Sequence, residues 1–291
     1  MILQDAPSPL VLILTFLVLS SFQFAEGARA AECRLEDDEQ SSRVVEIVDG
    51  DTLLLEDGRE VRLTGIQAPK LPLGRPNFQA WPLAVEARKA LSDLALDKTV
   101  MLRFGGTRSD RHGRVLAQVF VKDADTENLW LQREMLRSGL ARVYTFNDNR
   151  ACSDELLSAE REARGAGRGI WVDPFYDIRD ASNPNGLMER IGSFELVEGE
   201  IVSATQVRGR LYINFGEDYR NDFTVTVRER DVKLLAAEEP WTSLLDDYTG
   251  RKDLAALSGK LVRVRGWLDR YNGPEIEISH PEQIEFSRDD H

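Results

Sequence analysis

The sequence predicts a mainly β protein with helices, in which a five-stranded OB barrel is followed by a second, OB-like β domain. Short apolar runs are separated by turn signals such as Asp57-Gly58 and Asn272-Gly273, a pattern typical of successive strands. The order of three strands, helical material and two more strands occurs over residues 43–175 and recurs over residues 193–287. A length of 291 residues also suits two domains of ordinary size.

Local patterns predict each element of the first half. Apolar runs indicate strands at residues 44–48, 52–55, 60–63, 100–104 and 115–121. Prolines in residues 71–82 predict a loop. Apolar residues at helical spacing predict helices over residues 83–96 and 129–138, and Ser153 is a suitable N-cap for a third helix that ends near Gly165.

The second half repeats a barrel-like pattern after a polar stretch. Residues 31–42 are predicted to be an acidic leader, and residues 176–192 a linker. Further strands are predicted at residues 196–204, 211–215, 223–227, 259–268 and 276–278, with helical and loop material over residues 234–257. The linker and second domain therefore account for the rest of the chain.

The charge balance is acidic, with 37 basic and 50 acidic residues and a formal net charge of −13. Residues 31–180 carry 22 basic and 27 acidic side chains, and residues 181–291 carry 14 and 21. Proteins that bind nucleic acid strongly without sequence preference usually present a net positive field. Any contact with nucleic acid is therefore expected to be local.

The N-terminus has the pattern of a cleaved signal peptide. Residues 10–22 are free of charge, and Ala28-Arg29-Ala30 forms a cleavage site before Ala31. The apolar run is short for a membrane span. We therefore expect residues 1–30 to be removed, with no stable membrane span afterwards and a periplasmic or secreted location. An uncleaved anchor is the alternative, since the segment before the apolar run carries Asp5 and no basic residue.

Cys33 and Cys152 are the only cysteines, and both would remain after cleavage. An even pair in an exported chain is a candidate disulfide. The three histidines are far apart in the sequence, which leaves no His/Cys zinc cluster and no good Ser-His-Asp candidate.

Seven short motifs occur in one order over about half of the chain. They are Asp49-Gly50-Asp51-Thr52, Arg62-Leu63, Gly65-Ile66-x-Ala68-Pro69, Glu86-Ala87, Asp110-Arg111-His112-Gly113-Arg114, Gly139-Leu140-Ala141-x-Val143 and Gly169-Ile170-Trp171. Each motif is weak alone, but together they resemble the staphylococcal nuclease (thermonuclease) family. The resemblance covers residues 43–175 and implies a barrel in which the segments holding Cys33 and Cys152 can approach each other.

The resemblance implies a phosphodiesterase site with calcium and two arginines. Asp51 matches the calcium-binding aspartate after the turn, while Arg62 and Arg114 match the two arginines. Calcium would polarise a phosphoryl oxygen. The two guanidinium groups would bind phosphate and stabilise the charge of the transition state.

The next motif departs from the family pattern. Gln67 occupies the position of a second metal carboxylate, and Lys70 occupies the position of the glutamate that acts as general base. Calcium needs six to eight oxygen ligands, and its affinity rises with their charge. A site formed by Asp51 and Gln67 is therefore expected to bind calcium weakly or not at all, and no other cofactor is indicated.

Three interpretations remain open for this altered site. In the first, the Lys70 ammonium replaces calcium beside Asp51, so that the barrel binds nucleic acid or another phosphate-bearing ligand and cleaves it weakly or not at all. In the second, Arg62, Arg114 and Lys70 still support cleavage of DNA or RNA with an unidentified base. In the third, the site is structural and the protein interacts with partners in the cell envelope, which the sequence does not name.

Two aromatic and basic segments resemble binding surfaces but have simpler explanations. Phe78 and Trp81 would stack bases or pack the loop onto the barrel. In the second domain, Arg263, Arg265 and Trp267 alternate on one strand. The glutamates of the next strand, Glu275 and Glu277, are expected to pair with the two arginines and remove the need for a ligand.

Overall fold

The first sheet forms where apolar and polar residues alternate. The computed structural model describes residues 33–38, 40–122, 128–245 and 253–287, so the predicted signal peptide of residues 1–30 and its cleavage site lie outside the described residues. The first half contains β1 (Glu36–Asp37), β2 (Ser42–Asp49), β3 (Thr52–Leu55), β4 (Glu60–Leu63), β5 (Gly65–Gln67), α1 (Ala84–Ala95), β6 (Thr99–Phe104), β7 (Val115–Val121), β8 (Leu129–Trp130), α2 (Leu131–Arg137), β9 (Arg142–Tyr144) and α3 (Ser153–Gly165).

Five of these strands close the predicted barrel in the order β2, β3, β4, β7 and β6, and β6 pairs back with β2. The pairing of β4 with β7 is parallel, and the other four pairings are antiparallel. Every second side chain points into the core, so Val44, Leu53, Val61, Leu102 and Val119 are fully or almost fully buried. The predicted five-stranded barrel is confirmed.

The barrel packs closely on α1 at the turn between β2 and β3. A Cβ atom at Gly50 would lie 2.7 Å from the Cβ of Ala68 and 2.8 Å from that of Ala87. Glycine is therefore needed between Asp49 and Asp51, and the two carboxylates are held where the barrel meets the helix.

Two local predictions differ from the structure. Helix α3 begins at Ser153, but its cap is Cys152, whose φ is +63°, and the Ser153 hydroxyl donates to the carbonyl of Arg150. The sequence pattern also missed β5 and β9, which pair with each other over three residues. Strands this short carry too few residues for alternation to be recognised.

The second half contains a further barrel and its attachments. Its elements are β10 (Arg179–Asp180), α4 (Pro184–Met188), β11 (Phe194–Glu200), β12 (Ser203–Val207), β13 (Arg210–Asn214), β14 (Thr224–Val227), α5 (Glu229–Ala236), α6 (Trp241–Leu245), β15 (Leu261–Tyr271), β16 (Gly273–Ile278) and β17 (Ile284–Phe286). The predicted linker thus contains β10, which pairs with β11, and α4, which buries Leu187.

The second sheet has the OB strand order. Its sequence of neighbours is β11, β15, β16, β14, β13 and β12, and the pairing of β14 with β16 is parallel. Only Ile201 and Val202 separate β11 from β12, so the two strands act as halves of one bent strand that closes the sheet. The chain therefore contains two sheet-rich units, as predicted.

A buried ion pair joins the two barrels. The Arg265 guanidinium on β15 lies 2.9 Å from both carboxylate oxygens of Glu160 on α3, and both side chains are almost completely buried. Burial alone would lower the pKa of Arg265, but the charges of Glu160 and Glu285 outweigh it and hold the pKa above its usual value. The barrels are therefore fixed against each other by a charged contact.

The predicted pairing of Arg263 and Arg265 with Glu275 and Glu277 is wrong. The tight turn between β15 and β16 places Asp269, not an arginine, opposite Glu275. Arg263 instead pairs with Glu198 on β11. The two glutamates on β16 pair with other arginines, which are described below.

A disulfide joins Cys33 to Cys152, as predicted, across 119 positions and with 4.4 Å between the two Cα atoms. It ties the segment ahead of β1 to the residue that caps α3.

Across the described ranges, no helix combines the length and apolar composition needed to cross a membrane.

Candidate functional site

The turn between β2 and β3 presents two buried carboxylates. The Asp51 amide donates to Asp49 Oδ1 at 3.0 Å, so Asp49 caps the turn. Asp51 is completely buried, and its Oδ2 accepts a hydrogen bond from the Ala68 amide at 2.7 Å. This bond connects the turn to the loop that follows β5, which carries Lys70.

Lys70 lies directly against Asp51. Its Nζ is 2.7 Å from both carboxylate oxygens of Asp51 and 3.4 Å from Asp49 Oδ2. The ammonium is one-fifth exposed, whereas Asp51 is not exposed at all. The ion pair expected between Lys70 and Asp51 is therefore present, and it occupies both oxygens that a metal would require.

Arg62 completes this cluster from β4. Its guanidinium donates to the carbonyls of Leu63 at 2.6 Å and Ile66 at 2.7 Å, and it lies 3.3 Å from Asp51 Oδ2. Backbone contacts thus fix the orientation of Arg62, and the loop after β4 is wrapped around its head group.

The cluster is electrically balanced. Burial alone would raise the pKa of Asp51, but the charges of Arg62 and Lys70 outweigh it and hold that pKa well below its usual range. Burial and the neighbouring Asp51 raise the pKa of Asp49. With both carboxylates ionised, two cations offset two anions, and little net charge remains to attract a divalent cation.

The Gln67 side chain is directed toward β9, where it contacts Arg142. Its Oε1 accepts hydrogen bonds from Arg142 Nε at 3.1 Å and from a terminal guanidinium nitrogen of Arg142 at 2.8 Å. Both side chains are buried, and burial lowers the pKa of Arg142 to about 10. The one oxygen that Gln67 can offer to a metal is therefore already used.

These donors do not fit calcium. Asp51 is paired with Lys70, Gln67 is paired with Arg142, and in the described part of the chain no third acidic, histidine or cysteine side chain joins the two aspartates at ligand distance. Calcium requires several oxygen ligands with excess negative charge. The arrangement is instead that of a site in which an ammonium balances the carboxylates.

Arg114 lines a cavity that Arg62 also lines. Its guanidinium pairs with Asp110 at 2.7 Å and is nearly one-third exposed. Arg62, Arg111 and Arg114 line a cavity of about 610 Å³, which we call the arginine cavity, whereas Lys70 and Asp51 do not line it. The structure thus brings Asp51, Arg62 and Lys70 together and places Arg114 with Arg62 on the cavity wall.

Four side chains around the site were not singled out from the sequence. Arg111, Tyr144 and Phe146 line the arginine cavity, and Arg142 holds Gln67. Arg111 lies inside the Asp110-Arg111-His112-Gly113-Arg114 motif, so the sequence alone could have indicated its cationic side chain as a phosphate ligand. Arg142 is the variable position of the Gly139-Leu140-Ala141-x-Val143 motif and Tyr144 follows that motif, but the partners of both are distant in the sequence.

The loop of residues 71–82 packs onto the protein. The Trp81 ring lies 5.7 Å from the Phe175 ring, and its amide donates to the Lys70 carbonyl at 2.9 Å. These contacts agree with the interpretation in which Trp81 packs the loop onto the protein. The hydrogen bond from Trp81 to the Lys70 carbonyl also holds the backbone of Lys70 in place.

Comparisons with known proteins identify relatives of the first barrel. A family model described as staphylococcal nuclease homologue matches residues 60–173. Thermonuclease from Staphylococcus hyicus is 26% identical over 172 residues, which cover 56% of this chain and 95% of that protein. Protein ParB from Escherichia coli is 34% identical over 143 residues, with 47% of this chain and 75% of that protein covered. An uncharacterized endonuclease from Escherichia coli is 32% identical over 135 residues, with 45% and 76% covered.

Proposed function

Because the chain belongs to the staphylococcal nuclease homologue family, we propose that it binds nucleic acid, or another phosphate-bearing ligand, with weak or no calcium-dependent cleavage. The observation that carries this proposal is the Lys70 ammonium, 2.7 Å from both oxygens of Asp51. It occupies the carboxylate that the family uses for calcium, and it places a cation on the same aspartate that Arg62 contacts.

Phosphate recognition is assigned to three cations. Arg114 presents its exposed edge to the arginine cavity, and Arg62 lies on the same wall with its orientation fixed by carbonyls. Planar guanidinium groups bind phosphate oxygens in pairs. Lys70 lies outside the arginine cavity but is partly exposed and shares Asp51 with Arg62, so it contributes positive charge from the adjacent loop.

Loss of cleavage follows from the same contacts. A protonated lysine cannot remove a proton from water near pH 7. Without a divalent ion, no Lewis acid polarises the phosphoryl group. We therefore propose binding with weak or no calcium-dependent turnover at this site.

Cleavage by a modified mechanism is the second candidate, because two of the relatives are named as a thermonuclease and an endonuclease. In that case Arg62, Arg114 and Lys70 would stabilise the transition state, and an unidentified group would act as base. Turnover that depends on Arg114 distinguishes this candidate from binding alone.

The binding proposal predicts that a fluorescein-labelled single-stranded oligonucleotide binds equally well with calcium and with chelator. Arg114→Ala should weaken binding by about tenfold or more, since a hydrogen-bonded charge is removed from the phosphate. Fluorescence anisotropy measures both quantities. Arg43→Ala is the matched control, because Arg43 is half exposed, ion-paired and outside the cavity. Equal effects of the two substitutions would rule out phosphate binding in this cavity.

We also propose that the mature chain begins at Ala31 and is located in the periplasm or outside the cell. The Ala28-Arg29-Ala30 site motivates this proposal, and the Cys33–Cys152 disulfide supports an oxidising compartment. N-terminal sequencing of the exported protein is expected to begin at Ala31, and a chain that still begins at Met1 would contradict cleavage.

A further inference from the structure

We propose that the outward face of the second barrel is an additional binding site for single-stranded nucleic acid, continuous with the arginine cavity. We call it the aromatic face and define it by Trp267, Tyr271 and Tyr212. The inference rests on the proposed function, because one strand would occupy both sites. The family match ends at residue 173, so it does not include this face.

Two large aromatic side chains stand exposed on one strand. Trp267 and Tyr271 lie on the same side of β15, and they are 48% and 66% exposed. Four residues of extended strand place them about 13 Å apart. With Tyr212 and Arg270 they line a cavity of about 510 Å³. Exposed rings provide surfaces on which unpaired bases of one strand stack.

The aromatic face is connected to the arginine cavity by a direct contact. Trp267 Nε1 donates to the Tyr144 hydroxyl at 3.1 Å, and the Tyr144 ring lies 4.8 Å from the ring of Phe146, edge to face. Tyr144 and Phe146 line the arginine cavity, and Phe146 is 49% exposed. A line of aromatic rings therefore leads from the phosphate-binding arginines onto the second barrel.

The position of this line is fixed by the contact between the barrels. Arg265 precedes Trp267 by two residues on the same side of β15 and is buried against Glu160. On this side of β15, Arg265 is therefore covered by the first barrel, and Trp267 is exposed to solvent. A strand that leaves the arginine cavity past Tyr144 meets Trp267 first.

The aromatic face is nearly neutral, so stacking rather than net charge would provide the affinity. Arg210 pairs with Glu275 and Glu277, and Arg228 pairs with Glu277. Arg270 is exposed and lines this cavity together with Asp269, and it makes no ion pair with the described residues, which leaves its guanidinium available for a phosphate near Tyr271. Neutral oligosaccharides also stack on aromatic rings, but the connection to a phosphate-binding cavity favours a nucleic acid strand.

The test compares a short and a long oligonucleotide, dT4 and dT15, by fluorescence anisotropy of the full mature chain in chelator. Trp267→Ala/Tyr271→Ala should weaken binding of dT15 by about tenfold or more and leave binding of dT4 unchanged. Trp267→Phe, which keeps a ring but removes the bond to Tyr144, should retain most of the dT15 affinity. Tyr219→Ala is the matched control, since Tyr219 is 54% exposed on the same barrel but lines neither cavity.

The outcomes separate this inference from the proposed function. If Arg114→Ala weakens both oligonucleotides while Trp267→Ala/Tyr271→Ala weakens neither, the aromatic face is not a binding site and the arginine cavity stands. If the aromatic substitutions weaken dT15 and Arg114→Ala weakens neither oligonucleotide, the aromatic face binds nucleic acid by itself, and both the role of the arginine cavity and the continuous site proposed here are overturned. If cellohexaose binds in a Trp267-dependent manner and dT15 does not, the assignment to nucleic acid is overturned.

Discussion

Gln67→Asp/Lys70→Glu is expected to bind calcium more than about tenfold more tightly than the wild-type protein, since these changes turn a neutral cluster into a strongly negative one. Lys70→Glu removes the ammonium from Asp51 and adds a carboxylate beside it. Gln67→Asp adds another carboxylate, although Arg142 will compete for it. The gain is therefore expected to depend mainly on position 70. Isothermal titration calorimetry measures the change.

The same double variant is expected to cleave single-stranded DNA in a calcium-dependent manner that chelator abolishes. Arg114→Ala in this background should lower the rate by about 10²-fold or more if Arg114 stabilises the transition state. Lys70→Glu alone removes a cation from the phosphate site, so without metal it should bind the oligonucleotide more weakly.

Gln67→Asn/Lys70→Gln is the matched control for restored metal binding. It changes the same two side chains and removes the ammonium, but it adds no carboxylate. Calcium binding that rises equally in both double variants would show that loss of the ammonium, rather than the new charges, is responsible. No gain in either variant would contradict the assignment of Asp51 to a former metal site.

Loss of the Cys33–Cys152 disulfide is expected to lower the free energy of unfolding by about 4–5 kcal/mol, because the bond closes a loop of 119 positions. This value follows from the chain entropy of the unfolded state, since the open chain has many more conformations. Denaturant unfolding of Cys33→Ala/Cys152→Ala measures the change.

Reduction of the wild-type protein is the control for the disulfide prediction. Cys152 is buried and caps α3, so its replacement also removes packing that reduction retains. Agreement between the reduced protein and the double variant attributes the loss to the bond itself. Two alkylatable thiols in the native exported protein would show that the bond does not form in the cell.

The parts of the site that lie close together in the sequence were predictable. Asp51 lies in the turn between β2 and β3, Arg62 on β4 and Lys70 in the loop after β5, so their order in a known barrel predicts one cluster. The ion pair between Lys70 and Asp51 was one of three interpretations that the family resemblance left open, and the structure contains it. The same strand order predicted both barrels, because alternation along each strand determines which side chains are buried.

The parts that depend on distant partners were not predictable. Gln67 meets Arg142 across 75 positions, and Glu160 meets Arg265 across 105. Buried polar side chains take whichever partner the packed fold provides, and a single sequence does not identify it. The predicted pairing of Arg265 with the next strand failed for this reason, since docking of the barrels supplied Glu160 instead.

Calcium titration of the wild-type mature chain, with cleavage of single-stranded DNA followed in parallel, tests the replacement of calcium by Lys70 most directly. We predict no saturable calcium binding in the micromolar to low millimolar range and no cleavage that depends on calcium, while the oligonucleotide still binds in chelator. Tight calcium binding, together with DNA cleavage that chelator abolishes, would contradict the replacement and identify the protein as an ordinary calcium-dependent nuclease.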